Sequence, residues 1–226
     1  MSKKVLITWS GGLDSTYLVY KNLKEGNMVI PVYLSIENNS IKVENEKKAI
    51  DKMYEVFKKL KLEGHLEPIR DDFNLTVSNA SNLKFAQIPV WVCGILFSSW
   101  DHIDEIQMGY VMNDDAVSYI GDIKKIFRSY KDIIHNEYSN IKLTFPLLKM
   151  SKNQIWNEMP DVLRQETVFC EEPYEGKDCG ECHTCKRYEY EKLYLKYDRN
   201  SHLEDDSEIP LEKVMVKEEI EVYEEY

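Results

Sequence analysis

Two hydrophobic periods alternate along most of this chain. The unbroken apolar run Val5 to Trp9 reads as a buried strand. Ser15 to Leu23 follows at helical spacing until Gly26 ends it, and Val29 to Ile36, rich in β-branched and aromatic residues, reads as a second strand. Glu44 to Leu62 sets Ile50, Met53, Tyr54, Phe57 and Leu60 on one helical stripe, which predicts a long helix with that stripe against a sheet. Glu67 to Arg70 predicts a short strand, Val90 to Trp100 a buried apolar segment, Ile106 to Val111 another strand, and Ile120 to Glu137 a helix. Strands alternating with helices predict an α/β fold with a doubly wound parallel sheet, whose ligands sit beyond the carboxyl ends of the strands.

The exit of the first strand carries the chemistry. Ser10-Gly11-Gly12-Leu13-Asp14-Ser15-Thr16 is a strand-to-helix junction in which two glycines let backbone N–H groups turn toward an anion, while Ser10, Ser15 and Thr16 add hydroxyl donors. No lysine lies between Ser10 and Tyr20, so the string is not a Walker-type loop, and ordinary kinase or GTPase chemistry is disfavoured. Asp14 would repel bare phosphate, so it either holds Mg²⁺ or caps the helix. A plain Gly-Gly turn is the bland alternative.

Four thiols form a second constellation. Cys170, Cys179, Cys182 and Cys185 have the spacing C-x8-C-x2-C-x2-C, in which thiolates two residues apart on a tight turn converge on one ion and an upstream partner completes a tetrahedral Zn²⁺ shell. An iron–sulfur cluster is the main competitor and disulfides a poor third. Cys93 sits in an apolar run with no basic neighbour and reads as a small buried hydrophobe rather than a nucleophile. The five histidines are scattered, with no pair at metal-ligand spacing on a helix. Arg70, Asp71 and Asp72 read as a solvated turn.

At 226 residues and 43% apolar letters the chain can bury one full α/β core. No apolar run reaches the length of a membrane span, so a soluble, cytoplasmic protein without membrane contact is expected. Of the net charge of −11, ten acidic and two basic residues between Ser201 and Tyr226 account for −8, leaving −3 for the rest. A body so near neutrality argues against a polyanion such as tRNA as the standing partner. The division expected is residues 1–200 as the nucleotide-binding unit, with the cysteine knuckle at 170–185, and 201–226 as an acidic extension. Leu211 to Tyr223 there suits either two short strands or a disordered segment.

The Ser10 to Ser15 string resembles the signature of the PP-loop, or N-type, ATP pyrophosphatases. Together with the cysteine knuckle it resembles the 7-cyano-7-deazaguanine synthase family of the queuosine precursor pathway, over Lys3 to about Tyr190. Thr144-Phe145-Pro146-Leu147-Leu148-Lys149-Met150-Ser151-Lys152 is similar to that family's Pro-Leu…Lys segment, which implies that Lys152 opens a helix and approaches the phosphates. Gly109, Asp114, Asp115 and Tyr119 resemble its pocket-building segment, implying substrate contacts from Asp115 and Tyr119. Here Tyr119 runs on into Ile120-Gly121-Asp122, without the family's Cys and Arg, Pro89-Val90-Trp91-Val92 replaces its Pro-x-Arg-Asn, and Glu171 stands where Tyr is usual.

The resemblance implies an ATP-dependent carbon–nitrogen ligase that uses Mg²⁺ and structural Zn²⁺ to join 7-carboxy-7-deazaguanine and ammonia, with Asp14 and Lys152 catalytic. The departures fall on the acceptor side and keep two alternatives open. One is a PP-loop enzyme adenylating another acid, an amide or a tRNA base. The other is a catalytically silent nucleotide-binding module. Homodimerisation is equally open.

Overall fold

The computed structural model describes residues 2–36, 40–75, 87–99, 103–112, 114–134, 141–174 and 177–190. The acidic 201–226 segment, with both readings of its Leu211 to Tyr223 stretch, lies outside the described residues, as do His102, His135 and His202.

The elements run β1 (Lys4–Thr8), α1 (Leu13–Lys24), β2 (Met28–Ile36), α2 (Ser40–Lys59), β3 (Arg70–Leu75), α3 (Gln87–Phe97), β4 (Glu105–Gln107), α4 (Ile120–Ile134), β5 (Lys142–Thr144), α5 (Lys152–Glu158), α6 (Asp161–Arg164) and α7 (His183–Tyr190). Among the described residues the strands form one parallel sheet in the order β3-β2-β1-β4-β5. Chain order runs outward from β1 in both directions, so the switch point lies between β1 and β4. Backbones diverge there and leave a crevice at the carboxyl ends.

Both faces of the sheet are covered, which explains why its strands read as unbroken apolar runs. Val5 and Ile7 of β1, with Val29 and Tyr33 of β2, face one core with α1, α2 and α5. Leu6, Ile30 and Val32 face the other with α3 and α4. The period of two is present, with apolar residues at both phases. Gly94 lets α3 lie close on the sheet: a Cβ there would meet Phe73 Cδ1 at 2.9 Å and Leu34 Cδ2 at 3.0 Å.

Four expectations shift. Arg70, Asp71 and Asp72, read as a solvated turn, are the first residues of β3, where pairing with β2 holds the backbone and Arg70 donates to the Ser98 carbonyl at 2.6 Å. The strand predicted over Glu67 to Arg70 starts where that segment ends, because Pro68 offers no N–H, Leu66 makes only an isolated bridge to Val29, and the ladder with β2 begins at Arg70. The strand predicted over Ile106 to Val111 stops at Gln107, since Gly109 turns the chain against the start of α1. The apolar segment from Val90 is the helix α3, and Cys93 on it is half-buried, its thiol pushed up by desolvation. No described helix is long and apolar enough to cross a membrane.

Candidate active site

A cavity of about 760 Å³ opens at the switch point. The first strand delivers the Ser10 loop to its floor. Gly11 has φ +74°, a conformation that side chains rarely adopt, and a Cβ there would meet the Glu46 carbonyl of α2 at 3.2 Å. Gly12 is the N-cap of α1 and makes no side-chain cap bond, so the first-turn N–H groups and the positive helix end are left for an external anion. The Ser10 and Ser15 hydroxyls face each other at 3.3 Å across the glycine pair. Gly109, beyond β4, completes the cradle: a Cβ there would sit 3.3 Å from the Ser15 backbone nitrogen.

Ser10, Gly12, Leu13, Asp14 and Ser15 all border this space. Gly11 and Thr16 do not. Thr16 is fully buried, accepting from Trp9 Nε1 at 2.9 Å and donating to Met53 Sδ at 3.3 Å, so it fastens α1 to the core instead of offering a hydroxyl to phosphate.

Lys152 reaches the same floor from the first position of α5. That helix starts where it does because Ser151 and Gln154 form a capping box, Ser151 Oγ accepting the Gln154 N–H at 3.2 Å and Gln154 Oε1 the Ser151 N–H at 2.8 Å. Only 7% exposed, Lys152 donates to Asp14 Oδ2. Burial raises the Asp14 carboxyl above the usual carboxylate range; Lys152 pulls the other way and Asp114 adds to the rise. The second oxygen, Asp14 Oδ1, is buried with no protein partner, which leaves the coordinating capacity that Mg²⁺ bound to a triphosphate would use.

A second ion pair lies alongside, Arg187 Nη1 to Asp114 Oδ1 at 3.3 Å. Asp114 Oδ2 accepts the Val111 N–H at 2.8 Å, which orients the carboxylate toward the cavity. Of the adjacent Asp114 and Asp115, Asp114 is therefore the one on the wall. The neighbouring Asp115 and Tyr119, expected as substrate contacts, occupy a 3-10 turn with exposed side chains and do not border the cavity. Trp91, Tyr110 and Phe169 give the walls a flat aromatic character.

The rim is acidic. Lys42 pairs with Glu171 and lies 3.9 Å from Glu46, which accepts the Tyr33 hydroxyl at 2.6 Å. Burial would lower the Lys42 amine, but Glu46 and Glu171 outweigh it and raise it. Burial raises the Glu46 carboxyl. Sequence reasoning missed Arg187, Lys42 and Glu46. Arg187 carried one signal, its place two residues past the last knuckle cysteine. Lys42 and Glu46 carried none beyond a polar helix start.

The knuckle roofs one side. All four Sγ atoms lie within 4.8 Å of one another, with Cys170 to Cys179 at 3.5 Å and Cys179 to Cys185 at 3.9 Å. Zn–S bonds of about 2.3 Å in a tetrahedron require sulfurs roughly 3.8 Å apart, so the donor set fits zinc. The Glu181 and Cys182 N–H groups donate to Cys179 Sγ at 3.4 and 3.3 Å and hold that thiol at about 7. His183 is exposed at the cavity edge and no part of the sulfur cluster.

Among known proteins, two curated relatives from Clostridium botulinum are each named 7-cyano-7-deazaguanine synthase. The Type A protein is 27% identical over 228 residues, and the Type Ba4 protein 28% identical over 225; each alignment covers 86% of this chain and 99% of the relative. The family described as "Queuosine biosynthesis protein QueC" matches residues 4–192, which takes in the sheet, the Ser10 loop and the cysteine cluster alike, and the chain belongs to that family.

Proposed function

We propose that this chain is an ATP-dependent ligase that converts 7-carboxy-7-deazaguanine and ammonia to 7-cyano-7-deazaguanine, with residues 1–200 as the catalytic unit. The observation that carries the reading is the convergence, in one cavity, of an uncapped glycine-rich helix start, two part-buried acid–base pairs and a zinc-competent knuckle, in a chain matched along nearly the whole length of synthases of that name.

The Gly12, Leu13 and Asp14 N–H groups and the Ser10 and Ser15 hydroxyls hold the β- and γ-phosphates. Lys152 and Arg187 face the same space and offset the charge that gathers on pyrophosphate as the substrate carboxylate oxygen attacks the α-phosphorus. Ammonia then displaces AMP to give the amide. A second activation, at the amide oxygen, and loss of AMP leave the nitrile. Asp14 would hold Mg²⁺, which would supply further neutralisation of the leaving group. Zinc on Cys170, Cys179, Cys182 and Cys185 supplies no bond-making chemistry and fixes the roof.

The test is to mix the full chain with Mg-ATP, the deazaguanine acid and ammonium. AMP and pyrophosphate are expected in step with a product that mass spectrometry identifies as the nitrile. Pyrophosphate release with tRNA and none with the acid would replace this reading by that of another PP-loop acceptor. Nucleotide binding without turnover on any acceptor would make the chain a silent module.

A further inference from the structure

The cysteine knuckle and the phosphate loop are joined at both ends of the knuckle. On the entering side, the Val168 N–H donates to the Gly11 carbonyl at 3.0 Å, and the Val168 carbonyl lies 3.5 Å from where a Cβ on Gly12 would stand. Cys170 follows two residues later. On the leaving side, Cys185, Arg187 and Tyr188 share the eight-residue helix α7. Arg187 holds Asp114 at 3.3 Å, and the Tyr188 ring lies 5.9 Å below Lys152 Nζ and stacks on Phe169 at 4.0 Å. One short helix thus carries a metal ligand, one floor cation, and the ring under the other.

A helix of this length is far below the roughly 12–15 residues that isolated helices need in water, so its placement depends on what anchors it. The sulfur cluster at Cys185 and the buried Tyr188 ring are its anchors. We propose that metal in the knuckle and polyphosphate at the Ser10 loop bind with positive coupling carried by α7, Arg187 through its own charge facing the polyphosphate and Tyr188 as the positioning residue beneath Lys152. This rests on the reading of that loop as the triphosphate site. Coupling between two sites is reciprocal: if metal raises nucleotide affinity by some factor, nucleotide raises metal affinity by the same factor. Zinc supply would then set how well the enzyme holds ATP.

The test follows zinc leaving the loaded full chain, captured by an excess of a coloured chelator, with and without saturating Mg-ATP whose binding is first established by calorimetry. Mg-ATP is expected to slow zinc release and, by equilibrium competition with the same chelator, to lower the zinc dissociation constant about tenfold, within the usual range of coupling between sites. Arg187→Gln should start with the same zinc content and lose the protection. Lys186→Gln removes the same charge one residue away, at an exposed position off the cavity, and should keep it. Equal zinc dissociation constants with and without bound nucleotide in the unaltered chain would overturn the coupling and leave the loop assignment standing. Failure of Mg-ATP to bind the zinc-loaded chain at all would overturn both.

Discussion

Glu46 is held at the cavity rim by the Tyr33 hydroxyl and by Lys42, yet burial dominates and raises its carboxyl. A carboxyl whose folded pKa exceeds its unfolded value of about 4.3 contributes stability that is full below the unfolded value and lost as pH rises through the folded one. Ionised Glu46 therefore costs the fold at pH 8. Glu46→Gln still accepts from Tyr33 and should raise Tm at pH 8, the gain shrinking as pH falls toward about 4.3; an equal gain at both ends would refute the assignment. Asp14 and Lys152 behave differently because each is the other's partner. Lys152→Met leaves a part-buried carboxylate without its cation, an expected loss of up to about 3–5 kcal/mol. The double variant with Asp14→Asn should recover most of that in thermal unfolding while pyrophosphate release stays at least about a hundredfold down. Both residues were legible in the sequence, Asp14 within its string and Lys152 at a segment resembling a known one. Arg187, Lys42 and Glu46 were not, since only the packing of α7 and α2 over the sheet brings them to the cavity. Asp115 was read where Asp114 does the facing, because the turn after β4, set by the Asp114–Val111 hydrogen bond, decides which side chain points inward.

Elements with a full period were read well, and those set by pairing were not. Helices α1, α2 and α4 carry amphipathic repeats over three or more turns, and strands β1 and β2 are long apolar runs, so composition alone marks them. Strands β4 and β5 are three residues each, too short for a period of two to register, and exist because neighbouring backbone offers the bonds. The helix α3 carries apolar residues on nearly every side, which erases the helical stripe and leaves a segment that reads simply as buried. Its fit to the sheet hinges on one missing side chain. Gly94→Ala would push a methyl into Phe73 and Leu34, and should cost about 1–3 kcal/mol of stability measured by denaturant unfolding. Gly64→Ala, with open space around its position, should cost far less. Equal effects would mean that α3 does not pack as described.

Across the molecule the two cores and the knuckle are distinct in what holds them. Among the described residues beyond Cys170, the core against α1, α2 and α5 takes only Tyr188, and the core against α3 and α4 takes none. The parallel sheet therefore keeps nearly all its buried apolar area if the knuckle opens, and that area is the main term in its stability. The knuckle has little such reserve beyond Tyr188 and the Phe169 ring it stacks on: most of its order comes from four sulfurs and the ion they fit, so the free energy of metal binding is the larger part of its folding free energy. Removing zinc with a strong chelator should then leave far-UV circular dichroism and the main thermal transition nearly unchanged. It should expose the stretch from Val168 to Tyr190 to limited proteolysis and abolish acid-dependent pyrophosphate release, because Arg187 and the ring beneath Lys152 leave the cavity with α7. Collapse of the whole circular dichroism signal on chelation would contradict this division and would make the knuckle part of a single cooperative unit with the sheet.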